Sequence, residues 1–159
     1  MTRGAITALA ALLLVACTPP SPPPATKATA DVEVARDAYD RVERCGRMAR
    51  EYFKQENGNG QSSSGGVTTF SNFSNHYNSI LKKCYMLMSS NSISKDAKTG
   101  KVSASESKQL YDFNDNLDMG EEYHFTSPFS LMQCDMGGEH CTTPGEWDEW
   151  AKQYMERNP

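Results

Sequence analysis

Residues 67–88 read VTTFSNFSNHYNSILKKCYMLM, and this stretch decides whether the fold contains a sheet or only helices. Its two ends, Val67–Phe70 and Cys84–Met88, are short runs of apolar, aromatic or β-branched residues bounded by polar residues, which favours strands. The apolar residues of 73–88 also recur at helical spacing, so the pattern alone leaves both structures open. We predict two strands that are joined near Asn78.

Two segments with helical periodicity flank this stretch. From Asp31 to Asn57, small and apolar residues recur at spacings of three and four, and Gly58 supplies a stop signal. We expect Asp31 to cap this helix. Near the other end, the Thr-Pro-Gly-Glu sequence of residues 143–146 supplies an N-cap, a proline at the first helical position and a capping-box glutamate. The tryptophans that follow lie at core spacing, so we expect this helix to dock on the core.

The segments between the helices predict further strands. Residues 110–113 and 123–125 flank a turn that is rich in Asn, Asp and Gly, and residues 129–136 form another short strand. We interpret residues 56–66 and 89–101 as polar loops. The expected fold class is therefore α+β, with a long N-terminal helix, an antiparallel sheet of three to five strands and a docked C-terminal helix.

The first residues of the chain have the pattern of an export signal. Arg3 precedes an apolar run that is too short to span a membrane, and the run ends in Leu14-Val15-Ala16-Cys17. A cysteine directly after Leu-x-Ala resembles the bacterial lipobox. That resemblance implies cleavage before Cys17 and attachment of lipid to its side chain. The prolines that follow hold extended geometry and are typical of a stiff stalk.

Three regions follow from this interpretation. Residues 1–16 are the signal peptide, residues 17–30 are the lipidated cysteine and the proline-rich stalk, and residues 31–159 are a single α+β domain. Because Thr18 and not Asp follows the cysteine, the resemblance implies the outer membrane, facing the periplasm, if the organism has two membranes. The expected partners are the membrane, through the anchor at Cys17, and an envelope protein. The formal net charge of −4 and the lack of basic clusters argue against nucleic acid.

The cysteines support export. There are five: Cys17, Cys45, Cys84, Cys134 and Cys141. With Cys17 assigned to the lipid, an even number remains, which in an exported protein indicates two disulfides. A pair of glycines between Cys134 and Cys141 lets the chain turn, and Cys45 on the apolar helix face would share a core layer with Cys84. We predict the pairs Cys45–Cys84 and Cys134–Cys141.

Several short motifs together resemble a family of small, uncharacterised exported bacterial proteins. The residues that carry the resemblance are His76-Tyr77-Asn78, Leu81, Lys83-Cys84-Tyr85, Leu110-Tyr111-Asp112, Gly120, Cys141, Trp147 and Tyr154-Met155. The family pattern is HYN-x-x-L-x-KC-aromatic, followed by a late cysteine and a C-terminal helix that ends in YM. The resemblance covers about residues 40–156 and implies an exported α+β domain without an assigned activity. We interpret His76, Tyr77 and Asn78 as a functional or structural corner between elements.

The sequence indicates no metal or cofactor. The oxygen-rich residues 112–120 alternate like a calcium loop, but Leu117 and Tyr123 stand where that loop needs Gly and Glu. We interpret this segment as a turn that binds no ion tightly. A zinc site near Cys134 and His140 lacks a fourth ligand.

No catalytic residues can be assigned from the sequence, which has no G-x-S-x-G elbow. We interpret Glu121, Glu122 and Glu139 as surface carboxylates. The favoured function is a non-catalytic binding or structural module in the envelope. The alternative is a small periplasmic hydrolase, or a metal-dependent site, around His76 and Asp112.

Overall fold

The computed structural model describes residues 27–156, and the fold class is α+β, as predicted. The expected signal peptide, the lipid-bearing Cys17 and the stalk up to residue 26 lie outside the described residues. Helix α1 spans Lys27–Asn57, so it begins one turn before the expected cap at Asp31. The alanines at positions 28 and 30 are strong helix formers and suit this extension.

Seven antiparallel strands follow α1 in an up-and-down order, so strands that are consecutive in sequence are neighbours in the sheet. The strands are β1 (Gln61–Ser64), β2 (Val67–Asn78), β3 (Lys83–Lys95), β4 (Val102–Asp112), β5 (Leu117–Thr126), β6 (Phe129–Met136) and β7 (Glu139–His140). Helix α2 spans Pro144–Met155. The ambiguous stretch 67–88 is therefore two strands and the turn between them, as we predicted.

The sheet is larger than the predicted three to five strands because β1 and β7 were not predicted, and β3 and β4 are also longer than expected. Most of residues 89–101 belongs to the hairpin of β3 and β4, and residues 61–64 form β1. Serine hydroxyls bond across these polar strands, as between Ser71 and Ser90 at 2.7 Å. Such hydroxyl pairs, together with the main-chain ladder, let a polar sequence extend a sheet.

The two helices pack on opposite faces of the sheet. Side chains alternate between the faces along each strand, so β3 contributes Met86 to one face and Tyr85 to the other. On the α1 side, Ala49 and Phe53 form a cluster with Met86. On the α2 side, Trp147 is fully buried in a cluster that includes Tyr85.

The predicted N-cap and the proline at the start of α2 are confirmed. Thr143 is the N-cap, and its hydroxyl accepts a hydrogen bond from the Glu146 main-chain nitrogen at 3.2 Å. The Glu146 carboxylate, however, accepts from the main-chain nitrogen of Thr142, one residue before the position that a capping box predicts. The indole of Trp147 donates to the Asp135 carbonyl at 3.1 Å, which attaches the helix to β6.

Both predicted disulfides are present. Cys45–Cys84 joins α1 to β3, and Cys134–Cys141 joins β6 to the segment before α2. Each helix is therefore linked covalently to the sheet or to the chain beside it. Among residues 27–156, no helix is both long enough and apolar enough to cross a membrane.

Candidate functional site

Helix α2 leaves part of its sheet face uncovered, and large apolar side chains lie there. The exposed fractions are 46% for Phe70, 49% for Ile93, 58% for Val102 and 60% for Phe129. Ile93 lies on the same face of β3 as Leu87, because an even number of residues separates them, and Leu87 packs against the cluster beneath α2. The strand register places Phe70 and Val102 on this face as well. We call this surface the open face. It comprises Thr68, Phe70, Asn91, Ile93, Val102, Ala104, Glu106, His124, Thr126 and Phe129.

The neighbouring residues of the same strands point to the other side. Ser92 and Ser94 alternate with Ile93, and their hydroxyls bond to Thr69 and Ser103 at 2.8 and 2.6 Å. One side of this part of the sheet is therefore lined by paired hydroxyls, and the other carries exposed apolar groups. Of the two sides of this part of the sheet, the open face has the stronger apolar character of an interaction surface.

Three ionisable side chains lie where the edge of α2 meets the open face. His124 Nδ1 lies 2.5 Å from Glu122 Oε1, and His124 Nε2 lies 4.0 Å from Glu106 Oε2. The Glu122 side chain is fully buried, whereas the Glu106 side chain is 32% exposed. The imidazole is therefore bonded to the buried carboxylate of Glu122, and the partly exposed carboxylate of Glu106 lies nearby, beyond hydrogen-bond distance.

The Glu122–His124 pair has a defined orientation. The carboxylate contact fixes the imidazole through Nδ1 and directs Nε2 towards Glu106, while the ring of Phe129 packs against His124 at 5.4 Å between centroids. The second oxygen of Glu122 has no hydrogen-bond partner among the described residues. A buried carboxylate in this setting needs the imidazole, because an unpaired buried charge is strongly destabilising.

Glu122 is a residue that the sequence interpretation missed. It is 0% exposed, and not on the surface as we expected. Strand β5 approaches β6 closely here. Gly120 permits this approach, because a Cβ at its position would collide with the main chain of Asp135 and Met136. Beside it, Lys108 bridges to Asp148 of α2 at 2.8 Å, which helps to close the helix over the pair.

The corner residues His76, Tyr77 and Asn78 have separate environments. Asn78 is buried; its Oδ1 accepts from the main-chain nitrogens of Ile80 and Leu81 at 3.1 and 3.0 Å. The Tyr77 hydroxyl accepts from Arg41 of α1 at 3.2 Å. His76 lies on the α2 side, and its Nε2 is buried without a hydrogen-bond partner in the described part of the chain.

His76 and Asp112 are not brought together. Tyr85 of β3 lies between them, paired with His76 on one side and with Asp112 on the other. Asp112 is held by Lys83 at 2.7 Å and accepts from the Asn114 main-chain nitrogen at 2.8 Å. Desolvation of the buried ring, followed by the charge of Asp112, raises the pKa of Tyr85 to about 12.

The oxygen-rich turn is engaged by protein donors. Asn114 accepts from the Cys84 main-chain nitrogen, Asn116 from the Tyr111 hydroxyl, and Asp118 from the Gln109 amide. Within residues 27–156, no group of three or more His, Cys, Asp or Glu side chains is arranged to hold a metal ion. The acidic cleft beside this turn contains Glu121, whose pKa is raised by burial and then by nearby carboxylates.

Comparisons with protein-family models, with curated proteins and with solved structures gave no match. The resemblance to small exported bacterial proteins therefore stays a prediction from the motifs. The functional argument rests on the surfaces of this chain alone.

Proposed function

We propose that the protein is a lipid-anchored binding module of the bacterial cell envelope, held to the membrane through Cys17, whose open face contacts a partner protein. The observation that carries the proposal is the exposure of Phe70, Ile93, Val102 and Phe129 on one uncovered sheet face. Exposed apolar patches rimmed by polar residues are typical of protein interaction surfaces.

The open face also favours a particular partner chemistry. Glu106 lies at its centre, in the same cross-strand row as Asn91 and His124. Its carboxylate is partly exposed and lies beyond hydrogen-bond distance of the imidazole. The expected partner surface therefore presents apolar side chains around a Lys or Arg that pairs with Glu106.

The proposed location has independent support. Two disulfides suit an oxidising compartment outside the cytoplasm. The lipobox-like sequence Leu14-Val15-Ala16-Cys17 adds a means of attachment, since two or more acyl chains are enough for stable anchoring.

Membrane fractionation and intact mass test the anchor. The wild-type chain is expected in the membrane fraction with the mass of a cleaved, acylated product. Cys17→Ser should give an uncleaved precursor or a soluble product. If the Cys17→Ser variant appears in the membrane fraction as wild type does, and its intact mass shows the same processing, lipid attachment at Cys17 is excluded.

Site-specific photo-crosslinking in the envelope tests the open face. A crosslinker at Ile93 should trap one partner, whereas the same group at Ser92 should not, because Ser92 lies on the opposite face. Glu106→Lys should abolish the Ile93 adduct, and the purified partner should bind the wild-type chain more tightly than Glu106→Lys. Equal crosslinking from both positions would exclude the open face as the contact surface.

The alternative, a periplasmic hydrolase or a metal-dependent site around His76 and Asp112, has less support. Tyr85 separates the two side chains, and Lys83 already neutralises Asp112. We therefore favour the binding module.

A further inference from the structure

A concave surface lies on the α1 side of the sheet, away from the open face. It is a cleft of about 470 Å³ between α1 and the turn that joins β2 to β3. One wall is helical and includes Asp40, Arg41 and Arg44. The opposite wall includes Tyr77 and Lys82.

Part of the charge in this cleft is already paired. Arg41 forms an ion pair with Asp37 at 2.6 Å and donates to the Tyr77 hydroxyl at 3.2 Å. Arg44, Lys82 and Asp40 have no ion-pair or side-chain hydrogen-bond partner within residues 27–156. The cleft therefore offers two free cations and one free carboxylate.

Lys82 occupies an unusual backbone position. Its φ is 58°, in the left-handed region that Gly or Asn adopts at lower cost. Asn78 fixes the preceding turn by accepting from Ile80 and Leu81, so the position of Lys82 is set by the surrounding structure. A strained position that carries a cation into a cleft suggests a functional reason for that residue.

The two walls are also joined covalently. The Cys45–Cys84 disulfide connects α1 to β3, and both cysteines line the cleft. The relative position of the two walls is therefore constrained before any ligand binds, which lowers the ordering cost of binding.

We propose that this cleft binds a small zwitterionic ligand that carries an anionic oxygen group and a primary ammonium. Arg44 and Lys82 contact the carboxylate or phosphate, and Asp40 contacts the ammonium. Two cations and one carboxylate complement a ligand of net charge −1, such as an amino dicarboxylate or a phosphorylated amino alcohol. The same chemistry occurs free in solution and in lipid headgroups.

Calorimetric titration of the full chain in detergent tests the proposal. The probes are O-phosphoethanolamine, glutamate and inorganic phosphate, the last of which lacks the ammonium. At least one zwitterion should bind about tenfold more tightly than phosphate. Vesicles of phosphatidylserine, whose headgroup carries a primary ammonium and a net charge of −1, form a separate arm: binding to these vesicles alone assigns the ligand to a lipid headgroup, and binding to a soluble probe assigns it to a free ligand.

Matched variants locate the site. Lys82→Asn tolerates the left-handed backbone and removes the cation, so it should weaken binding about tenfold without lowering the melting temperature. Arg44→Gln should have a similar effect, and Asp40→Asn should remove the preference for zwitterions over phosphate. Arg36→Gln, outside the cleft on the same helix, should bind as wild type. Absence of binding in every arm, or unchanged binding by both Lys82→Asn and Arg44→Gln, would overturn the proposal.

Discussion

Asn78 and Tyr154 are joined across 76 residues of sequence, because the side-chain amide of Asn78 donates to the Tyr154 carbonyl at 3.3 Å. The same amide donates to the Gln153 carbonyl at 3.2 Å, so it satisfies two carbonyls in the last turn of α2. Its oxygen accepts from the β2–β3 turn. One buried side chain therefore fixes a turn of the sheet and the end of the terminal helix.

Replacing Asn78 should destabilise both elements. Asn78→Asp keeps the acceptors for the turn but places a buried carboxylate against two carbonyls, so we expect a loss of about 3 kcal/mol or more in the free energy of unfolding. Asn72→Asp, at an exposed position of the same strand, should change it by less than about 0.5 kcal/mol. Urea unfolding measures both; equal stability of the two variants would mean that the Asn78 corner contributes little.

The sequence predicted the elements whose signals are local. Helix α2 begins at Pro144 because Thr143 and the following residues carry the capping signals within four positions. The strand content of residues 89–101 depends instead on partners in β2 and β4, and its serines give no apolar alternation to detect. These strands are formed by cross-strand pairing and hydroxyl hydrogen bonds between residues far apart in sequence, which a local sequence pattern does not reveal.

The alternation of β5 explains why Glu122 was missed. Tyr123 and Phe125 alternate with Glu122 and His124, so the sequence suggests that the aromatic residues face the core. The structure buries the opposite set, because α2 covers that face. The burial of the Glu122–His124 pair depends on the position of α2, and the sequence of β5 alone does not predict that position.

The buried pair predicts an asymmetric response to mutation. His124→Leu leaves Glu122 buried without its partner and should cost about 3–5 kcal/mol at neutral pH. The double variant Glu122→Met/His124→Leu replaces both polar groups by apolar ones and should lie within about 1.5 kcal/mol of wild type. Urea unfolding of the complete double-mutant cycle measures the coupling. A double variant less stable than His124→Leu would show that the pair is not coupled in this way.

The docking of α2 depends on Trp147. Trp147→Ala should lower the free energy of unfolding by about 3–5 kcal/mol, because a fully buried side chain is lost and the Asp135 carbonyl loses its donor. Trp147→Phe keeps most of the packing and should cost about 1–2 kcal/mol. Trp150 is only half-buried, so Trp150→Ala is the control and should cost less than Trp147→Ala. An equal effect of the two alanine variants would contradict the proposed core position.

The two disulfides should contribute unequally to stability. Cys45–Cys84 links residues 39 positions apart, and Cys134–Cys141 links residues 7 apart. From the entropy of loop closure in the unfolded chain, we expect losses of about 4 and about 2.5 kcal/mol when each pair is changed to serine. Chemical denaturation of Cys45→Ser/Cys84→Ser and of Cys134→Ser/Cys141→Ser gives the order, and the reverse order would contradict the prediction.

Alkaline pH should destabilise the fold through Tyr85. Burial raises its pKa from the ordinary value of 10.0 to about 12, so the folded chain holds the proton where the unfolded chain has released it. The stabilisation is complete below pH 10 and decreases as pH rises towards 12, by about 3 kcal/mol in total. Tyr85→Phe has no proton to lose at this position.

The measurement is the slope of unfolding free energy against pH between about 9 and 11.5. Groups that do not interact with Tyr85 contribute equally to both chains in this pH range. The wild-type slope should therefore be more negative than that of Tyr85→Phe, by up to about 1.4 kcal/mol per pH unit above pH 10. Parallel slopes would mean that the Tyr85 hydroxyl ionises in the folded chain as readily as in the unfolded one.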